Sequence, residues 1–377
     1  MIRRPPRSTL DRSSAASDVY KRQDNTTGEV LLSKDIDRPI PPASMSKLMT
    51  LWMVFESLEE GKIELDDTFR VSKKAWKKGG SKMFLREGEY VTIKNLIKGV
   101  IIQSGNDACI VLAEGIAGTE ANFAELMTIR AKEIGLESSN FTNSTGWPDP
   151  EHKMSSKDLV TLANKIREEY PFYYRIFDDL EFTWDNISQK NRNPLLFMNL
   201  GADGLKTGYT EEAGYGLIAS VKQNKRRITF VITGLNSVEQ RAREAKGITT
   251  WAFKKFKLKT YFKENSTILE APVWRGKKES VKISATNDVQ TLLASDVEEG
   301  IKIQIVLKEP LVAPLKKGQK INGHLVIKTT PLVDPGLEKK QLIFPIEVGE
   351  DLERGGLANK LTTNLNILKT KLFSLLG

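Results

Sequence analysis

Apolar residues recur at helical spacing across residues 44–58, where Leu48, Met49, Leu51, Trp52, Phe55 and Leu58 cover almost the whole circumference. A helix that is apolar all round is a buried one. Pro41 and Pro42 stand just ahead of it and limit where it can begin. Residues 91–102 and 107–117 read as two more helices, joined by Gln103-Ser104-Gly105-Asn106. A polar loop bearing Gly and Pro follows from Gly135 to Met154, and further helices are expected at 156–169 and 240–256. Elsewhere the residues are apolar and β-branched in short runs. Residues 217–221 and 227–233 form an antiparallel hairpin around Gln223-Asn224-Lys225-Arg226, with 204–210 as a third strand. A short strand also follows the turn within residues 25–35. Strands at both ends of a helical stretch predict an α+β domain, an antiparallel sheet flanked by helices.

After Phe262 the pattern changes. Residues 267–348 are short alternating strands separated by Asn, Asp, Gly and Pro turns, which predicts a small all-β sandwich. The expected domains are 24–262, 263–350 and a terminal segment, 351–377. In that segment Leu357, Leu361, Leu365, Leu368, Leu372 and Leu375 share a helix face, with Arg354, Lys360, Lys369 and Lys371 as its charge and no acid after Glu353. A basic amphipathic helix of this kind is suited to lie in a membrane interface; packing on its own β domain is the plainer alternative. No run of about 18 apolar residues occurs, so no spanning helix is expected. Residues 1–23 are basic and Ser-rich without the apolar centre of a secretory signal. They read as a non-native or disordered leader, with the fold beginning at about Asp24.

At 377 residues, 40% hydrophobic and 28% charged, the chain is long enough for two folded domains. Its net charge of +9 points to an anionic partner. The lysines are scattered, with no basic stripe interleaved with aromatics, so nucleic acid is not the expected one. The single cysteine, Cys109, excludes an internal disulfide and a cysteine-based zinc site; it sits in an apolar helix and reads as a core residue. No metal or cofactor is expected. Only His152 and His324 could serve a Ser-His-Asp mechanism, which favours chemistry without histidine.

Three short motifs carry that chemistry. In Ser44-Met45-Ser46-Lys47, an S-x-x-K, the serine and lysine are one helical turn apart on one face. A desolvated lysine can accept the serine proton, and the helix N-terminus favours developing negative charge. Alone, such a serine is more often an N-cap. Ser104-Gly105-Asn106, an S-x-N, lies in a turn between apolar helices, where a capping turn is the plain alternative. Ser104 could relay a proton and Asn106 could bind a substrate carbonyl. Lys206-Thr207-Gly208 falls on an expected strand. Its glycine admits a substrate backbone, and its lysine and threonine attract a carboxylate. An ordinary strand end is the alternative there.

The order and spacing of the three are the signature of the serine penicillin-recognising enzymes. Pro42 to Thr50, Gln103 to Cys109, Asn191-Arg192-Asn193, Asp203 to Thr210 and Arg243-Glu244-Ala245 resemble the low-molecular-mass D-alanyl-D-alanine carboxypeptidases, from about Asp24 to the C-terminus. The resemblance implies that Ser44 is acylated as it releases the terminal D-alanine of a peptidoglycan stem peptide, and that β-lactams acylate the same residue. It further implies Lys47 as general base, Ser104 as proton shuttle, and an oxyanion hole from the backbone N–H groups of Ser44 and Tyr209. Lys206, Thr207 and Arg243 would hold the terminal carboxylate, with Gly208 beside the substrate; Arg192 would line the site or form a salt bridge. Some relatives carry His at position 209, a change of little consequence where the backbone acts. The same resemblance implies export to the periplasm or the outer face of the cytoplasmic membrane. A D,D-endopeptidase, a β-lactamase and an inactive wall-binding scaffold are the rival readings. Against the β-lactamase, no E-x-x-L-N-like motif occurs in residues 135–169.

Overall fold

A computed structural model describes residues 20–294, 300–330 and 340–356. The chain divides into two compact units, the first ending at Phe253 and the second starting at Lys254.

The first unit is built on a five-stranded antiparallel sheet. Its strands are β1 (Tyr20–Asp24), β2 (Val30–Lys34), β3 (Ala202–Thr210), β4 (Gly214–Gln223) and β5 (Arg226–Leu235), in the order β2-β1-β5-β4-β3. Alternation along β4 sorts its side chains between two layers. Leu217, Ala219 and Val221 face a cluster that includes Ala245, Ile248 and Ala252, whereas Ile218 joins the large helical core. That helical core is formed by α1 (Lys47–Glu59), α2 (Asn106–Ala117), α3 (Glu120–Glu133) and α4 (Ser156–Glu169). The opposite face is covered by α5 (Val238–Lys255). Trp52 and Phe55 of α1 are fully buried, as their all-round apolar pattern requires.

The sequence-based expectations differ from this fold in identifiable places. Among the described residues the sheet already includes Tyr20, ahead of Asp24: β1 lies between β2 and β5, pairing Tyr20 with both Lys34 and Ile232, so four residues assigned to the leader belong to the fold. Without them β5 would present an unpaired edge. The expected helix 91–102 is a strand residue pair, a short α-helix at Ile93–Lys98 and a π-helical turn at Gly99–Gln103. Helix α3 had no sequence assignment; Thr119 caps it by accepting a bond from the Asn122 N–H at 3.1 Å.

In the second unit, β6 (Phe256–Phe262) pairs antiparallel with β9 (Val289–Ala294). This places residues 256–262 with the β unit and moves the boundary about ten residues ahead of Lys263. Helix α5 runs straight into β6, so no change of composition marks the junction. A six-stranded sheet is formed by β7 (Thr267–Trp274), β8 (Ser280–Ala285), β10 (Gly300–Leu307), β11 (Leu311–Val312), β12 (Lys320–Thr330) and β13 (Lys340–Val348). Its order is β10-β12-β13-β8-β7-β11, parallel only between β7 and β11. Leu352 bridges Leu315 and is buried, and Arg354 bridges Gly276, so the chain is still extended there rather than helical. The leucine repeat from Leu357 onward lies outside the described residues.

Candidate active site

Ser44 lies on a tight 3-10 turn, Ala43–Ser46, that leads into α1. Lys47 opens α1 and is fully buried. Its Nζ donates to Ser44 Oγ at 2.7 Å and to the Thr145 carbonyl at 2.5 Å. Burial lowers the lysine pKa to about 8. The second contact arrives from a loop 98 residues away. That loop is held close by Gly146, at φ +74°, where a Cβ would stand 2.0 Å from the Ala43 carbonyl oxygen. Only glycine fits both the space and the backbone angle.

Ser104 follows the π-helical turn in left-handed conformation, φ 59°, and is buried. Lys206 Nζ donates to its Oγ at 2.9 Å, so the second and third motifs meet directly. Burial, then the neighbouring Lys47 and Arg192 charges, holds the Lys206 pKa well below the usual lysine range. Asn106 donates from Nδ2 to the Gly79 carbonyl at 2.9 Å, and its backbone N–H bonds to the Ser81 carbonyl at 2.8 Å. Asp107 accepts bonds from the N–H groups of Met83, Phe84 and Leu85, tying that segment to the same turn. On β3, Gly208 passes the nucleophile's turn so closely that a Cβ would lie 3.0 Å from the Pro42 carbonyl and 3.2 Å from Ala43 Cβ. Thr207 is buried at the cleft, and the Tyr209 ring, half-exposed, stacks on Tyr215 with centroids 4.3 Å apart.

These elements enclose a cleft of about 260 Å³ lined by Ser44, Ser104, Thr207, Gly208, Arg192 and Arg241 among others. Arg192 reaches it from the loop before β3, donating to Ser81 Oγ at 2.5 Å. Arg243 does not reach it. Its side chain is 69% exposed and lies against Glu244. Of the α5 arginines, the one at the cleft is Arg241, buried, with its guanidinium 5.7 Å from the Tyr215 ring centroid. Side chains two positions apart on a helix point about 200° apart, so both cannot serve. A sequence signal was available: Arg241 lies on the stripe with Ala245, Ile248 and Ala252 that packs on the sheet, and Arg243 lies off it. Ser81, Tyr215 and the Thr145 carbonyl were also missed, and no local pattern marks them. Cys109 is buried in the core beside the site, its thiol pushed up to about 12 by burial.

Comparison with known proteins identifies the family. The family described as D-alanyl-D-alanine carboxypeptidase matches residues 8–237, and the penicillin-binding protein 5 C-terminal domain matches 256–331. D-alanyl-D-alanine carboxypeptidase DacC of Escherichia coli (strain K12) is 36% identical over 361 residues, 94% of this chain and 88% of the relative. DacF of Bacillus subtilis (strain 168) is 33% identical, covering 88% of this chain and 84% of the relative. The crystal structure of penicillin binding protein 5 from Haemophilus influenzae superposes with a TM-score of 0.77 at 31% identity, covering 94% of this chain and all of that one. With the S-x-x-K, S-x-N and K-T-G motifs converging on one cleft, the chain belongs to the D-alanyl-D-alanine carboxypeptidase family, serine hydrolases of the penicillin-binding protein group.

Proposed function

We propose that this carboxypeptidase works through an acyl-enzyme on Ser44, with the 2.7 Å contact from Lys47 Nζ to Ser44 Oγ as the observation that carries the assignment. Neutral Lys47 takes the hydroxyl proton as Oγ attacks the carbonyl of the penultimate D-alanine. The tetrahedral oxyanion sits between the backbone N–H groups of Ser44 and Tyr209, each donor contributing about 3 kcal/mol. Ser104, hydrogen-bonded to Lys206, gives its proton to the departing amine and recovers one from protonated Lys47, so that terminal D-alanine leaves and Lys47 is neutral again. Water then attacks the ester with the same base and releases the shortened peptide. Asn106 orients the acyl part of the substrate beside Gly208. Lys206, Thr207 and Arg241 hold the terminal carboxylate, the role that resemblance had given to Arg243. The substrate is a peptidoglycan stem peptide, and β-lactams acylate the same oxygen.

The direct test is intact mass after incubation with benzylpenicillin. A gain of one penicillin on the unaltered protein and none on Ser44→Ala supports the nucleophile. An adduct on both, or on neither, removes Ser44 from that role.

The leucine-rich basic segment 357–377 is proposed to anchor the enzyme peripherally on a membrane, at the outer face of the cytoplasmic membrane of an exported protein. No helix among the described residues is long and apolar enough to cross one. Co-sedimentation with anionic phospholipid vesicles, compared with a chain ending at Gly356, checks this: equal binding of the two rules out the anchor.

A further inference from the structure

The cleft brings together more basic side chains than one carboxylate needs. Lys206, Thr207 and Arg241 already form a receptor for the substrate's C-terminus, and Arg241 is backed by Tyr215. Arg192 lines the same cleft from another wall. Its one hydrogen bond among the described residues goes to a neutral hydroxyl, Ser81 Oγ. Neither arginine meets a carboxylate among the described residues, and no acidic side chain lines the cleft. An arginine held over a cleft with no anion beside it is arranged to meet one on the ligand.

Where Arg192 is anchored decides which part of the ligand that is. Ser81, its partner, also accepts the backbone N–H of Asn106 at 2.8 Å. Arg192 is therefore fixed to the segment that holds Asn106, the residue to which the proposed mechanism gives the acyl part of the substrate, whereas Arg241 sits by Tyr215 of the β3–β4 hairpin. We infer that Arg192 reads a second carboxylate, carried on the side chain of the residue that precedes the D-alanine pair. The enzyme would then favour stem peptides whose diamino acid bears a free side-chain carboxylate over those with lysine or an amidated side chain. This inference rests on the carboxypeptidase mechanism proposed above and specifies its substrate class.

The test uses two peptides, acetyl-(L-2-aminopimelyl)-D-Ala-D-Ala and the same peptide with its side-chain carboxylate amidated, cleaved by the full chain. A charge-assisted bond to Arg192 predicts a kcat/KM about tenfold or more higher for the carboxylate form, expressed chiefly in KM. Arg192→Gln should bring the ratio close to one, and Arg192→Lys should restore part of it. Equal kcat/KM values in the unaltered protein, or a preference that survives Arg192→Gln, would overturn the inference. Benzylpenicillin adducts on each variant report an intact site. If adducts form but neither peptide is cleaved, the D-alanyl-D-alanine mechanism fails and the inference with it; if both are cleaved equally, only the role of Arg192 fails.

Discussion

Lys206 donates a 2.9 Å hydrogen bond to the hydroxyl of Ser104, a cleft-lining residue 102 positions away. With both groups buried, the bond orients the hydroxyl to which the proposed mechanism gives the proton relay. Ser104→Ala removes the proposed relay and leaves the lysine without that acceptor. The expected outcome is a fall in kcat of about 10²-fold or more on a D-Ala-D-Ala peptide, a usual magnitude for losing a proton-transfer group. Steady-state kinetics check it; a kcat within threefold of the unaltered enzyme would remove Ser104 from the reaction.

The depressed pKa of Lys47, about 8, gives the acylation rate a pH dependence with a definite sign. The base form is the deprotonated one. Below about pH 8 its fraction falls tenfold per pH unit, so acylation by benzylpenicillin should rise with pH from 6 to 8 and level off above. Stopped-flow or quenched acylation across pH 6–10 measures this, within the range where the fold is retained. A flat profile would mean that lysine is not the proton acceptor. Lys47→Arg, charged at every working pH, should abolish the adduct.

Arg241 and Arg243 make a paired prediction, because they lie two residues apart on α5 and face different ways. Arg241→Ala should raise KM for a D-Ala-ended peptide by roughly ten- to a hundredfold, the cost of one charge-assisted bond. Arg243→Ala, at a largely exposed position, should leave kcat and KM unchanged. The reverse pattern would return the carboxylate to Arg243.

Arg22 on β1 is a stability liability. It is 2% exposed, stacks at 4.9 Å on Tyr20 and 5.5 Å on Trp251, and its Nε and Nη1 have no hydrogen-bond partner among the described residues. Burial also lowers its pKa to about 10. Buried unpaired donors cost about 1–3 kcal/mol, and the flanking cluster is apolar. Arg22→Leu should therefore raise Tm by several degrees. A lower Tm by differential scanning fluorimetry would show that the aromatic stacking outweighs the lost hydration.

Local chemistry determined a definite part of this protein. The spacing of Ser44 and Lys47 sets them one helical turn apart whatever surrounds them, because helical periodicity is a property of a few neighbouring residues. The same holds for the hairpin at β4 and β5, whose alternating runs and polar turn specify their own pairing. The order of the three motifs pointed to the family and to Ser44, Lys47, Ser104, Asn106 and Lys206, all of which lie at or around one cleft. What the tertiary structure alone decided depends on distant contacts. The Thr145 carbonyl that meets Lys47 belongs to a loop with no motif. Residues 20–23 look like leader until they pair with β5, and residues 256–262 look like the end of the first domain until they pair with β9. The stripe Ala245, Ile248 and Ala252 marks the apolar side of α5 in the sequence, but only the sheet against which α5 rests brings Arg241, on that side, to the cleft. Periodicity describes an element, and the partner that gives the element its direction comes from elsewhere in the chain.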